Sequence, residues 1–156
     1  MSRLFVLFCL ACSAEPSSDS GTDAAMETQR SDFAGYAEDG QTVARVDPNR
    51  YLGIWYEFAT TPSQQQQWCN GTTAEYSLID ESTIGVVNRC YQGSLDGALS
   101  QVEGTARPID DTFARLLVDL GYGFETPYQI IELDGSEGDE PYAFAAVTSL
   151  NYQTWI

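Results

Sequence analysis

The chain has 156 residues, 43% hydrophobic and 12% aromatic, which suits one folded domain with a core and some length to spare. Its 23 acidic residues outnumber seven basic ones, all arginine, for a net charge of −16, so no basic face exists to neutralise nucleic-acid phosphates. It contains no histidine, which removes Ser-His-Asp and Cys-His catalysis, histidine metal sites and histidine acid–base chemistry. An enzyme would have to work with carboxylates such as Glu57 or Glu132, which are scattered and form no visible acid–base pair. The anionic excess reads first as solubility chemistry.

Residues 1–11 have the form of a lipoprotein-type signal peptide: Arg3 is the charged start and 4–11 a short apolar run. The run ends "CLAC", and a small residue directly before Cys12 resembles the lipobox of bacterial lipoproteins. That resemblance makes Cys12 the acylated first residue of the mature chain, held in a membrane by chains such as palmitate, each buried methylene adding about 0.8 kcal/mol. Cys9 stands where the lipobox usually has leucine, and an ordinary signal peptide cleaved nearby is the alternative. Ser13 after the cysteine points, by the same resemblance, to the outer membrane. The remainder of 12–45 is small, polar and acidic without helical or strand period, which predicts a disordered linker reaching roughly 30 Å on average. No later stretch of eighteen apolar residues is present to form a spanning helix.

From residue 46 the pattern changes. Short apolar or alternating runs at 54–60, 72–79, 84–91, 101–108, 113–120, 127–133, 142–149 and 151–156 are separated by "DES", "GSLDGALS", "IDD", "GYGFET", "DGSEGDE" and "SLN". No connection is long enough for a crossover helix, so neighbouring strands should pair antiparallel as a meander. Ala74, Tyr76 and Leu78 share one face of the second run, and Ile84, Val86, Asn88 and Cys90 one face of the third. One-sided strands in this number cover their apolar face by curling, which predicts an all-β, eight-stranded antiparallel up-and-down barrel. Cys69 and Cys90 remain after Cys9 and Cys12 are assigned to the signal and the lipid, and an exported chain favours their pairing. Two sulfurs without histidine make no zinc site, and nothing suggests a cofactor.

The residues then become specific. "DPNRYLGIWYEFA" resembles the first lipocalin motif, a 3₁₀ turn followed by G-x-W, here Gly53 and Trp55. "TTAEYSLIDESTIGVVNRCYQGSLDG" resembles strands two and three of the bacterial outer-membrane lipoprotein branch, akin to apolipoprotein D. "DEPYAFAAV", residues 139–147 with Tyr142, resembles the second lipocalin motif. The resemblance covers about 46–156, the predicted barrel domain. It implies that Gly53, Trp55 and Tyr142 form the barrel base, with loops 61–71, 92–100 and 121–126 at the mouth and turns 80–83, 109–112 and 134–141 at the base. Cys69 and Cys90 then lie near the mouth on adjacent strands, close enough for a disulfide; two free thiols are the alternative. The family's third motif, an arginine laid over the tryptophan after the eighth strand, has no counterpart up to Ile156. Either the sequence is truncated or the barrel closes its base differently, and Trp55 is partly uncovered if nothing takes the arginine's place.

The implied function is binding, storage or transport of a hydrophobic small molecule, a fatty acid or lysophospholipid, without catalysis. Tyr76, Val86, Asn88, Leu116 and Val118 are the candidate lining, with Leu120 continuing the comb. Each has a plain core reading, and Asn88 can equally bond a neighbour. Trp68, beside four glutamines in "SQQQQWC", is a candidate gate or a side chain folded onto the rim. A filled barrel serving as a surface for other proteins is the rival of a different kind.

Overall fold

A proline at the first helical position and an aspartate before it start a helix, and a glycine soon after ends it. That is how the domain begins. Asp47 caps the turn by accepting from the Asn49 N–H at 2.9 Å, and Pro48–Tyr51 forms one α-helical turn, α1, where a 3₁₀ turn was expected. Gly53, at φ 108°, then swings the chain into the barrel, a conformation that side-chain-bearing residues rarely adopt.

The structure, a computed structural model, describes the backbone of residues 4–8 and, with side chains, residues 42–61, 66–134 and 138–149. The strands are β1 Leu4–Phe8, β2 Gly53–Thr60, β3 Cys69–Asp80, β4 Thr83–Gln92, β5 Leu99–Pro108, β6 Arg115–Asp119, β7 Glu125–Leu133 and β8 Phe144–Thr148. From β2 to β8 each strand pairs antiparallel with the next, as the alternation predicts. The register keeps one face inward throughout: Trp55 opposes Ala74, Ala74 opposes Asn88, Asn88 opposes Val102, Ala106 opposes Val118 and Leu116 opposes Tyr128.

Closure differs from expectation. Seven meander strands leave β2 and β8 running the same way across an open gap. β1 lies in that gap, parallel to both, and completes the barrel. The expected strand at 151–156 lies outside the described residues, as does Cys12. The run read as the apolar part of a signal is therefore a strand here; "LFVLF" is short, apolar and β-prone, and such a run satisfies both patterns.

Two boundaries move for local reasons. β6 starts at Arg115 rather than 113, because Asp110 accepts from the Thr112 N–H and hydroxyl and Phe113 sits at φ 57°, in a turn. At the other end, Val46 donates to the Thr112 carbonyl and Val43 to that of Ile130, so the folded part takes in Val43, which the sequence pattern leaves in the linker. The buried core gathers at the closed end, around Val46, Tyr51, Trp55, Ile84, Ile130 and Val147.

Candidate ligand-binding site

Alternation along β2 sorts its side chains. Ile54, Tyr56 and Phe58 are exposed, while Trp55 and Glu57 turn inward, one above the other. Trp55 is 0% exposed. Its indole N–H donates to the Tyr51 carbonyl at 2.8 Å, and the Tyr51 ring lies 4.8 Å away, centroid to centroid. Trp55 is thus covered: α1 folds the Tyr51 ring across it. Gly53 sets that crossing. Tyr142 closes the same end, its hydroxyl accepting from the Asp47 N–H at 3.1 Å and its ring 4.0 Å beneath the Arg50 guanidinium. Arg50 also donates to the Glu140 carbonyl at 2.6 Å. A cleft outside this end is lined by Arg45, Val46, Asp47, Pro48 and Tyr142.

Just inside the floor three tyrosine hydroxyls meet. That of Tyr128 lies 2.8 Å from Tyr51 and 3.0 Å from Tyr76, and the Tyr76 and Tyr128 rings meet edge to face. Burial raises all three phenols; Tyr76 is pushed up to about 12, Tyr51 and Tyr128 well above the ordinary value. They are neutral polar groups, able to donate and accept, and no base at neutral pH.

The rest of the inward lining is mixed. Tyr76 and Val86 are buried opposite each other. Asn88 sits at the level of Trp55, two strands away, between buried Val86 and Cys90 on its own strand, and its side-chain amide makes no hydrogen bond with the described residues. Leu116 is buried beside Tyr128; Val118 and Leu120 pack partly against the core. Glu57 is half-buried, bonded by the Thr72 side chain and, at a long 3.4 Å, by Gln66 Nε2 from the first mouth loop. Burial raises its carboxyl, and those two bonds offset part of the rise.

Cys69 and Cys90 form a disulfide, with Cα atoms 5.3 Å apart, and so tie β3 to β4 at the mouth. Trp68, next to it, is 68% exposed rather than folded onto the rim; its carbonyl accepts from the Gly93 N–H at 2.7 Å, joining two mouth loops. Leu95 is exposed on the second of these loops, and Tyr122 and Phe124 on the 121–126 loop. Glu132 is exposed on β7, so it forms no pair with inward-facing Glu57. Among the described residues no group of three or more side chains could hold a metal ion.

The sequence did not single out Tyr51 or Tyr128, and it named Glu57 only as an acid for catalysis. Counting two residues on from Trp55 and two back from Ile130 places Glu57 and Tyr128 inward. Tyr51 gave no such signal, because it precedes the strand.

A barrel of antiparallel meander strands, entered through a helical turn and G-x-W, matches a known architecture. The profile of the lipocalin-like domain covers residues 46–153. This chain is a lipocalin. It is 37% identical over 119 residues to the lipocalin R877 of Acanthamoeba polyphaga mimivirus, covering 71% of this chain and 65% of that one. It is 31% identical over 124 residues to the outer membrane lipoprotein Blc of Vibrio cholerae, covering 78% and 70%. Over 106 residues it is 29% identical to apolipoprotein D of Macaca fascicularis, covering 67% and 54%. The lipocalin thus spans between about half and two thirds of the length of most relatives it matches.

Proposed function

We propose that this lipocalin binds a single-chain hydrophobic molecule, a fatty acid or a lysophospholipid, in its barrel, and performs no reaction on it. One observation carries the reading: level with Trp55, which Tyr51 covers, and two strands away stands an inward amide, Asn88, with no side-chain partner among the described residues. An inward polar group calls for a partner, and a ligand head supplies one. The alkyl chain would lie against Val86, Leu116 and Val118, gaining about 0.8 kcal/mol per buried methylene before ordering costs. Tyr76 would meet its far end, and Trp68 would stand at the entrance.

The relatives support a place for this activity. Several are named outer membrane lipoproteins, and the "CLAC" sequence supplies the matching tether at Cys12, so we assign the lipocalin to the bacterial outer membrane, held by its acylated N-terminus.

Native mass spectrometry of gently purified protein tests the binding. A co-purifying lipid, or displacement of a bound fluorescent fatty acid, is expected. A bare apo mass with no uptake of the probe would establish the filled barrel instead. For the tether, Cys12→Ser should release the protein from the membrane fraction, and full retention would rule out acylation there.

A further inference from the structure

The charge of the barrel lining selects among lipid heads. Every arginine in the described residues is placed away from the inward face. Arg89 pairs with Glu75 at 2.7 Å and also bonds Gln101, on the outward faces of β3–β5. Arg107 pairs with Glu125 at 2.8 Å, and Arg115 with Asp110 at 2.8 Å beside the 109–112 turn. Arg50 lies over Tyr142 and Arg45 in the cleft outside the closed end. The chain has no lysine or histidine to add. Among the described residues the carboxyl on the inward face is that of Glu57, with Asn88 one step deeper and the tyrosine hydroxyls below.

Among the described residues, a carboxylate head entering this barrel meets another carboxylate and no cation, which opposes burial of its charge. An ammonium head meets a half-buried acceptor, held by Thr72 and Gln66, with the Asn88 amide oxygen one inward step deeper and two strands across the same face. From this geometry we infer that the lipocalin selects single-chain amphiphiles with an ammonium head, which Glu57 binds with help from Asn88, and that free fatty acids are its poor ligands. This rests on the binding function proposed above and narrows it. The ammonium can belong to a simple long-chain amine or to the ethanolamine of a lysophospholipid.

The test is competition against a fluorescent apolar probe by dodecylamine, dodecanol and dodecanoate at neutral pH, below their micelle-forming concentrations. Dodecylamine should bind about tenfold more tightly than dodecanoate, the size carried by one charge-assisted hydrogen bond, with dodecanol between. Glu57→Gln, which keeps the shape and the hydrogen-bonding partners, should bring amine and acid to within about threefold. Asn88→Asp, which breaks no side-chain bond, should widen the preference for the amine. A lysophosphatidylethanolamine binding as tightly as the amine assigns the ammonium to a lipid head; weaker binding assigns it to a free amine. Equal binding of amine and acid, preference for the acid, or a preference unmoved by both substitutions overturns the inference and leaves binding intact. Failure of all three dodecyl compounds to displace the probe, with the probe itself unbound, overturns the binding function instead.

Discussion

Trp55 and Tyr51 carry much of the closed end between them. Truncating Trp55 to alanine removes a fully buried ring and should cost about 3–5 kcal/mol. Tyr51→Phe keeps the ring over the indole and loses the hydroxyl bond to Tyr128, for roughly 1 kcal/mol. Tyr51→Ala should uncover the indole and shift its fluorescence to the red, which Tyr51→Phe should not. Equal shifts would mean that the ring does not cover Trp55. The tryptophan's place was legible in G-x-W, but its cover was not, since Tyr51 sits on a single helical turn where neither strand nor helix period can assign a face. Glu57 makes a second prediction at this scale. Its carboxyl is raised by burial, so between its ordinary and raised values the native state holds a proton that the unfolded state has released. Its contribution to stability is full below the ordinary carboxylate value and is lost as pH rises through the raised one. Glu57→Gln removes this titration, so thermal melts should show the variant gaining on the parent between acid and neutral pH. A pH-independent difference would mean that Glu57 is fully solvated.

Among the elements, the turns explain why acidic residues are spread along the chain. Asp47, Asp80, Asp110 and Asp119 each accept from the N–H two residues on, so carboxylates that look scattered in sequence fix where strands begin and end. Burial alone would raise Asp110, but the Thr112 hydroxyl and N–H and the Arg115 charge outweigh it and hold the carboxyl below its ordinary value. The strand runs themselves were legible from period-two alternation, because inward and outward residues differ so plainly on β3 and β4. Their ends were not, since Phe113 takes a left-handed conformation that its residue type does not announce. The 69–90 disulfide closes a loop of 21 residues between the two best-patterned strands. Replacing both cysteines by serine should lower unfolding free energy by about 3 kcal/mol, measured by urea titration of the oxidised parent and the variant. Loss of less than about 1 kcal/mol would indicate that the unfolded state already holds β3 and β4 together.

At the scale of the molecule, β1 and the proposed lipoprotein signal ask the same residues to do two things. A chain processed at Cys12 no longer contains Leu4–Phe8, and β2 and β8 then lose the strand that bridges them. Both run in one direction, so joining them directly would require a parallel pair, whereas a newly supplied antiparallel strand would fit the meander. Open edges of this kind recruit other strands, within the chain or from a second copy. A chain beginning at Cys12 and purified without acylation should therefore melt roughly 10 °C lower than the full chain, if closure by β1 contributes about 2 kcal/mol. Its amides at Tyr56–Ala59 and Phe144–Val147 should exchange with solvent faster, while those of β4 and β5 keep their protection. The net charge of −16 sharpens the readout: self-repulsion opposes compaction, so raising salt to about 1 M, where the Debye length is about 3 Å, should raise both melting temperatures. Salt should not restore the lost gap between them, because a missing strand is a loss of backbone pairing and not of charge balance. If the two chains melt together and exchange alike at every salt concentration, β1 has no part in the mature barrel and another segment holds β2 to β8.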